Sequence, residues 1–516
     1  MTSAAQNAAR TIKSLVPARL DRLPWSRFHT LIVVGLGVSW ILDGLEAQIV
    51  SQNGYADTLH MDASAIGWAG TIYLVGQVAG ALVFGWLSDR LGRRKLFFIT
   101  LLIYLGGTLV AGLSPEGAAW FFFIFRFIAG AGIGGEYAAI NSAIDELIPS
   151  HYRGRVDIAI NGTYWAGAAL GAAANLLFLN PHIFADSWGW RLSFFLGPVL
   201  GIIIIFLRRG VPESPRWLMT HGREKEAEKT VGEIEERVEH DTGSTLPAVP
   251  DSKAIEISPL TRVPFLRLLR VFVLEYPKRT IVGLAMMITQ SFLYNAIFFT
   301  YALALENFYG IPKDQTSWYF FPFAIGNLAG PLLLGHLFDV WGRRKMVLLT
   351  YGGAGLILLA SSVLFQADLL TAATQAVFWS AAFFLASAGA SSAYLTVSEL
   401  FPLEVRSRGI SFFFSIAQIF GALGPVIYGG LIGDGHNRTG MAIGYYVGAG
   451  VMIAGGLITF ILGVDAERKP LEEVADPLSL ANRSERREGW RDARGDTGAN
   501  PGERSSAGRA RTSGKS

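Results

Sequence analysis

Charged side chains lie inside segments otherwise apolar enough to cross a bilayer, and their chemistry is the first clue to this chain. Asp43 and Glu46 stand three residues apart, which puts them on one face of a helix. Arg126, Glu136 and Asp157 occur in, or at the edges of, later apolar segments. A charge near the centre of such a helix costs about 2.5–3.5 kcal/mol on insertion scales, so each needs a partner or a wet cavity. An acid that can trade its proton for a cationic partner is a natural coupling device; a permanent structural ion pair is the alternative. Polar and aromatic residues on other apolar segments suggest a cavity lining: Asn141, Asn161, Tyr164, Trp165, Gln290, Tyr294, Asn295, Asn327 and Gln418. Amides bind hydroxyls and carboxylates as donor and acceptor, and aromatic rings stack on rings. For any one of these residues, hydrogen bonding between helices is an equally good account.

The elements that position these residues follow from composition. Of 516 residues, 51% are hydrophobic and 16% charged, and the mean hydropathy is +0.36, a balance that points to lipid as the solvent. Segments of about 20 apolar residues recur nearly end to end. Spans are predicted near 28–51, 67–87, 96–113, 119–146, 155–178 and 188–208, then 279–303, 316–338, 346–364, 371–398, 409–432 and 441–463. The fold class is therefore an all-α membrane protein of twelve transmembrane helices in two six-helix halves. The first half covers 28–209 and the second 279–463. Residues 1–27 read as a polar, basic cytoplasmic arm without a signal-peptide core. Residues 210–278 form a cytoplasmic linker, in which Ala227, Val231, Ile234 and Val238 predict one short amphipathic helix and Phe265, Leu268, Leu269 and Phe272 a second. The stretch 464–516, rich in Arg, Glu, Gly and Ser, reads as a disordered cytoplasmic tail.

Basic residues collect on one side of these spans. Arg10, Lys13, Arg19, Arg22 and Arg27 precede the first, Arg90, Arg93, Arg94 and Lys95 follow the second, and Arg343, Arg344 and Lys345 follow the eighth. The positive-inside rule then places both termini in the cytoplasm of a cell whose inner membrane holds the chain, which requires an even number of spans.

Two motifs repeat at nearly one offset. Gly85-Trp-Leu-Ser-Asp89-Arg-Leu-Gly92-Arg93-Arg94-Lys95 recurs as Gly335-His-Leu-Phe-Asp339-Val-Trp-Gly342-Arg343-Arg344-Lys345. Glu146-Leu-Ile-Pro149-Ser-His-Tyr-Arg153 recurs as Glu399-Leu-Phe-Pro402-Leu-Glu-Val-Arg406. The halves thus mimic one six-span unit. Gly85 and Gly92 are expected to permit close approach of backbone and helices. Asp89 can accept charge-assisted hydrogen bonds from Arg153, Arg155 or a helix N-terminus, and Glu146 with Arg153 completes an ionic latch on the cytoplasmic face. Such a latch favours one conformation and breaks in the other, with plain anchoring by arginine as the alternative.

On these motifs the chain resembles the major facilitator superfamily, whose signature is the Gly-x-x-x-Asp-x-x-Gly-Arg-Arg-Lys loop present here twice. Within it the chain is similar to the sugar porter branch and its metabolite:proton relatives. The residues carrying that likeness are Arg126-Phe-Ile-Ala-Gly130-Ala-Gly132-Ile-Gly134-Gly135-Glu136, the two Glu-x-x-Pro-x-x-x-Arg motifs and Pro212-Glu213-Ser214-Pro215-Arg216-Trp217-Leu218. The resemblance implies pseudo-symmetric halves, a property for which this superfamily is a standard example. It makes Arg126 the counter-charge of Glu46 or Asp43 in proton coupling, and ranks Gln290 and Asn295 first among substrate-binding candidates, ahead of Tyr294, Asn161, Trp165 and Gln418. Gating would rest on Gly85, Asp89, Gly92, Arg93, Glu146 and Arg153, and on Asp339, Arg343, Glu399 and Arg406 in the second half. Departures are visible: Asp43-Gly44-Leu45-Glu46 replaces the sugar porters' Gly-Tyr-Asp, and Gln290-Ser-Phe-Leu-Tyr294-Asn295 lacks their first Gln and their Gly.

The expectation is a secondary active transporter that moves a small polar metabolite, a sugar or an organic acid, by alternating access and proton symport. A facilitated-diffusion uniporter or a transporter-like sensor are the alternatives. Its partners are the substrate, protons and membrane lipid, acting on a monomer without nucleic acid. No cofactor is called for and no enzyme activity. There is no cysteine, no nucleotide-binding loop and no metal-ligand spacing among the histidines. Gly130-Ala-Gly132-Ile-Gly134-Gly135 fits a dinucleotide-binding pattern, but it sits inside an apolar helix and reads as a packing motif.

Overall fold

The computed structural model describes residues 12–208, 212–257, 269–401 and 403–463. Its membrane helices in the first half are Arg27–Ser51, Ala63–Leu91, Arg93–Gly112, Ala119–Leu147, Ser150–Phe178 and Asp186–Arg208, spans 1 to 6. Spans 7 to 12 are Pro277–Phe298, Phe320–Leu334, Arg343–Gln366, Ala372–Leu400, Leu403–Ile432 and Arg438–Leu462. Ten of the twelve pass a strict test of length and hydropathy among the described residues. Span 8 fails it through its short first segment, which resumes as Leu337–Val340, and only the latter part of span 5 lies among the residues tested.

The same pairings occur in both halves: spans 1 and 5, 2 and 4, 3 and 4, and 3 and 6 pack together, as do 7 and 11, 8 and 10, 9 and 10, and 9 and 12. Small residues set these distances. A Cβ on Gly134 would fall 1.9 Å from the Gln77 carbonyl oxygen of span 2, and one on Gly330 would fall 2.1 Å from that of Phe384 in span 10. Backbone contact of this kind is how helices associate where lipid removes the hydrophobic driving force. The halves meet chiefly along spans 2 and 11 and along spans 5 and 8.

A small layer covers the basic end. The helix Glu224–Thr242 buries Ala227, Val231, Ile234 and Val238 against Val16, Leu20, Trp217 and Leu218, and ends on Gly243 in the left-handed region at φ 67°. Arg19 pairs with Glu228 and Glu235, and Arg22 also reaches Glu235. A two-stranded antiparallel ribbon, β1 (Ile12–Ser14) and β2 (Ile255–Ile257), joins arm to linker. That ribbon has no visible period in the sequence, because three residues are too few to display one.

Two expectations need correction. Span 7 does not continue to residue 303: it stops at Phe298 and resumes as Tyr301–Tyr309. Thr300 turns its hydroxyl back onto the Ala296 carbonyl at 2.6 Å, which offers that group an alternative to the helical ladder. The second linker helix is not an amphipathic α-helix where it is described. Val271–Glu275 forms one wide π turn, with Phe272 packed on Phe401, Phe412 and Phe413, while Phe265 and Leu268 lie outside the described residues. The tail from 464 also lies outside them.

Candidate functional site

A cavity of about 230 Å³ opens between the halves, where the middle of span 1 faces spans 7, 8, 10 and 11. Asp43 is in its wall, and Glu46, one turn further along span 1, lies behind it. Both are buried, but they engage different neighbours. Asp43 Oδ1 accepts the Tyr73 hydroxyl at 2.9 Å and Oδ2 accepts that of Tyr137 at 2.8 Å. Glu46 Oε2 accepts the Thr108 hydroxyl at 2.6 Å, and Oε1 forms an ion pair with Arg126 Nη1.

Arg126 is 0% exposed. It sits two turns into the helix that starts at Ala119. Its guanidinium lies over the Tyr73 ring at 4.0 Å, and Nε and Nη2 have no hydrogen-bond partner. Tyr73 therefore joins the two acids, through its hydroxyl to Asp43 and through its face to the cation that holds Glu46. The arrangement can hold a charge in two alternative pairings within one wall. Tyr73, Tyr137 and Thr108 were missed by sequence reasoning, since aromatics and hydroxyls in apolar helices carry no mark of which neighbour they meet.

The facing wall is built from amides. Ser291 donates to Gln418 Oε1 at 2.5 Å, Asn295 Nδ2 donates to the Ser291 carbonyl at 2.8 Å, and Tyr294 donates to Asn327 Oδ1 at 2.9 Å. Gln418 Nε2 crosses to Gln77 Oε1 at 2.9 Å, a direct link between the halves. Gln290 lines the cavity with a buried, unpartnered Oε1, an acceptor left open. Rings close the sides: Trp40 meets Tyr137 edge-on at 4.2 Å, and Trp165 reaches Tyr294 at 6.0 Å and Phe298 at 6.1 Å across the gap. The structure thus brings Asp43, Trp165, Gln290, Tyr294, Asn295 and Gln418 into one cavity. The side chains of Asn141 and Asn161 lie outside the described residues.

The gating motifs divide similarly. Gly92 and Gly342 occupy equivalent positions with φ of 90° and 92°, a conformation that only glycine adopts without strain. A Cβ on Gly92 would lie 2.6 Å from Glu213 Oε2, so the Pro212–Leu218 motif closes over this turn. Gly85 does not serve close approach, because a Cβ there would meet nothing within 4 Å. Arg343 is buried. The side chains of Asp89, Arg93, Glu146, Arg153, Asp339, Glu399 and Arg406 lie outside the described residues.

The end of the bundle away from the arginine loops is closed by contacts between the halves. Gln48 donates to the Tyr301 hydroxyl at 2.6 Å, as Gln52 also does, and Gln52 Oε1 accepts from Thr316 at 2.7 Å and Ser317 at 2.9 Å. Lys313 and Asp57 form an ion pair at 2.6 Å on its surface.

Known proteins share this architecture. The niacin transporter NiaP of Acinetobacter baylyi is 25% identical over 462 residues, covering 89% of this chain and 99% of its own. The putative metabolite transport protein YdjK of Escherichia coli is 28% identical over 494 residues, covering 89% and 98%. The partially occluded inward-open structure of the xylose transporter XylE from Escherichia coli superposes with a TM-score of 0.67 at 19% identity, covering 86% of this chain and 100% of that one, a likeness of fold. The family model described as sugar (and other) transporter matches residues 42–477. With twelve membrane helices in two repeated halves around one central cavity, this chain belongs to that family of membrane-spanning major facilitator transporters, and is not an enzyme.

Proposed function

We propose that the chain is a proton-coupled symporter of a small, ring-bearing polar metabolite, with alternating access to the cavity between its halves. The observation that carries this reading is the buried Glu46–Arg126 pair set one turn behind Asp43, with Tyr73 touching both groups. A buried ion pair is weak evidence for stability, and a switch is among its best-attested uses. Glu46 and Asp43 are the exchangeable acids and Arg126 the counter-charge. Gln290, Asn295 and Gln418 hold polar substituents, while Trp165 and Tyr294 flank the ring. A flat ring between aromatic faces suits a niacin-like metabolite better than a hexose, and NiaP is named for niacin. XylE, which shares this fold, is a proton:xylose symporter, and that supports the proton as coupling ion. The basic loops put both termini in the cytoplasm, with the closed end facing outwards. The latch between the repeated loops, Asp89, Arg93, Glu146 and Arg153 with Asp339, Arg343, Glu399 and Arg406, governs exchange on the opposite face.

In proteoliposomes, Glu46→Gln should abolish accumulation driven by a pH difference and retain counterflow of labelled substrate. If both Glu46→Gln and Asp43→Asn still concentrate substrate when only a pH difference is imposed, neither acid couples transport. An unmutated protein that ignores the pH difference is not a proton symporter, and facilitated diffusion or another coupling ion takes its place.

A further inference from the structure

Beyond span 7, a further, partly buried acid lies at the closed end. Glu306 belongs to the short helix Tyr301–Tyr309, past the break that ends the membrane segment at Phe298. Its Oε1 is buried without a hydrogen-bond partner. Across the junction between the halves it faces Asn53, which is 0% exposed, holds the unusual φ of 57°, and leaves both polar atoms of its amide unpartnered. Polar atoms buried face to face without well-formed hydrogen bonds are expensive to keep. A neutral carboxyl and a primary amide are complementary, donor to acceptor in both directions, whereas a carboxylate has nothing to offer the amide oxygen.

We propose that Glu306 is a proton-binding residue of this gate, and that the gate closes on the protonated acid. The inference rests on the alternating-access reading. The charges around the site fit it. Burial is the largest influence on Glu306; Lys313, although engaged with Asp57 at 2.6 Å, and the Asn53 amide favour the ionised form, and Asp57 opposes it. Tyr55 and Tyr301 are the other titratable groups that feel Glu306. On the side of the helix towards span 11, Asn307 binds the Gly433 carbonyl and Arg438 binds that of Phe308 while paired with Asp368. Burial pushes the Glu306 carboxyl up to about 8. Open and hydrated, the acid returns to the ordinary carboxylate range, so closure takes up a proton. The closed gate is then fully favoured at low pH and loses its advantage, about tenfold in the closed-to-open ratio per pH unit, as pH rises towards that value.

The chain has no cysteine, so a spin-label pair introduced by Ser64→Cys and Gln315→Cys reads the distance between the halves at this end. The short-distance population of the full-length protein should shrink as pH rises from 5.5 to 8.5, and Glu306→Gln should keep it dominant throughout. An unchanged pH response in Glu306→Gln would overturn the proposal, as would a single distance at every pH in unmutated protein that still transports. Asn53→Leu is the second variant: without the facing amide, the pH response should weaken, and an identical response would count against the pairing. A pH-dependent gate in protein that shows no pH-driven uptake would support Glu306 as the gate acid while removing the coupling role of Glu46 and Asp43.

Discussion

The two walls of the central cavity come from halves with the same helix pairings, yet they are chemically unlike. The first half supplies Asp43 with Glu46 and Arg126 behind it; among the described residues, the second half supplies the cavity with amides, hydroxyls and rings and no carboxylate or cationic side chain. A shared backbone plan therefore leaves room for a division of labour, in which one half handles charge and the other reads the substrate's polar groups. The cost of error differs between them. A broken buried ion pair leaves a charge that lipid and packed helices cannot solvate, while a lost amide leaves one hydrogen bond unmade.

The largest test of that contrast is Glu46→Ala. It strands a guanidinium that cannot deprotonate, and thermal or denaturant unfolding in detergent should show a loss of about 3–5 kcal/mol. Adding Arg126→Met should restore most of it. A double variant as unstable as the single one would show that the pair is not the source. Glu46→Gln should fall well short of this loss, because an amide oxygen still accepts the Arg126 bond.

On the other wall, Gln418→Ala removes bonds to Ser291 and to Gln77 of the opposite half. Its expected effect is roughly tenfold weaker substrate binding, about 1.4 kcal/mol, with pH-driven coupling intact, checked by tryptophan-fluorescence titration beside uptake. Loss of coupling without loss of affinity would erase the proposed division between the walls.

The smallest effect is expected from Lys313→Ala. Asp57 is largely exposed, so this surface pair should contribute less than about 1 kcal/mol to closure of the gate, and less still at high salt. A larger shift in the distance distribution at fixed pH would mean that the ion pair, not the buried layer of Gln48, Gln52 and Tyr301, holds the gate.

Much of this plan was legible in the chain. Hydropathy fixed the number of helices because each must satisfy its own backbone in lipid, and the repeated Gly-x-x-x-Asp-x-x-Gly-Arg-Arg-Lys loop disclosed the duplication. Gln290, Tyr294, Asn295 and Gln418 were found by polarity alone, since a polar side chain in an apolar helix must face protein or water. Gly85 was misread because a motif gives residue type without surroundings. The break after Phe298 was also invisible, since Thr300 bonds back to its own helix in many contexts.

By itself, then, the order of residues determined that twelve helices cross a membrane, that they come as two repeats, and that a few charges lie where charge is costly. Those are properties of local composition and period. Only the tertiary structure decided that Glu46 meets Arg126 while Asp43 meets Tyr73 and Tyr137, although both acids share one turn of one helix. The residues concerned are 30 to 94 positions apart, and which of them touch depends on how spans 1, 2, 3 and 4 rotate against each other. That rotation is set by where glycines let backbones meet, as Gly134 does at Gln77, and no local pattern encodes the partner.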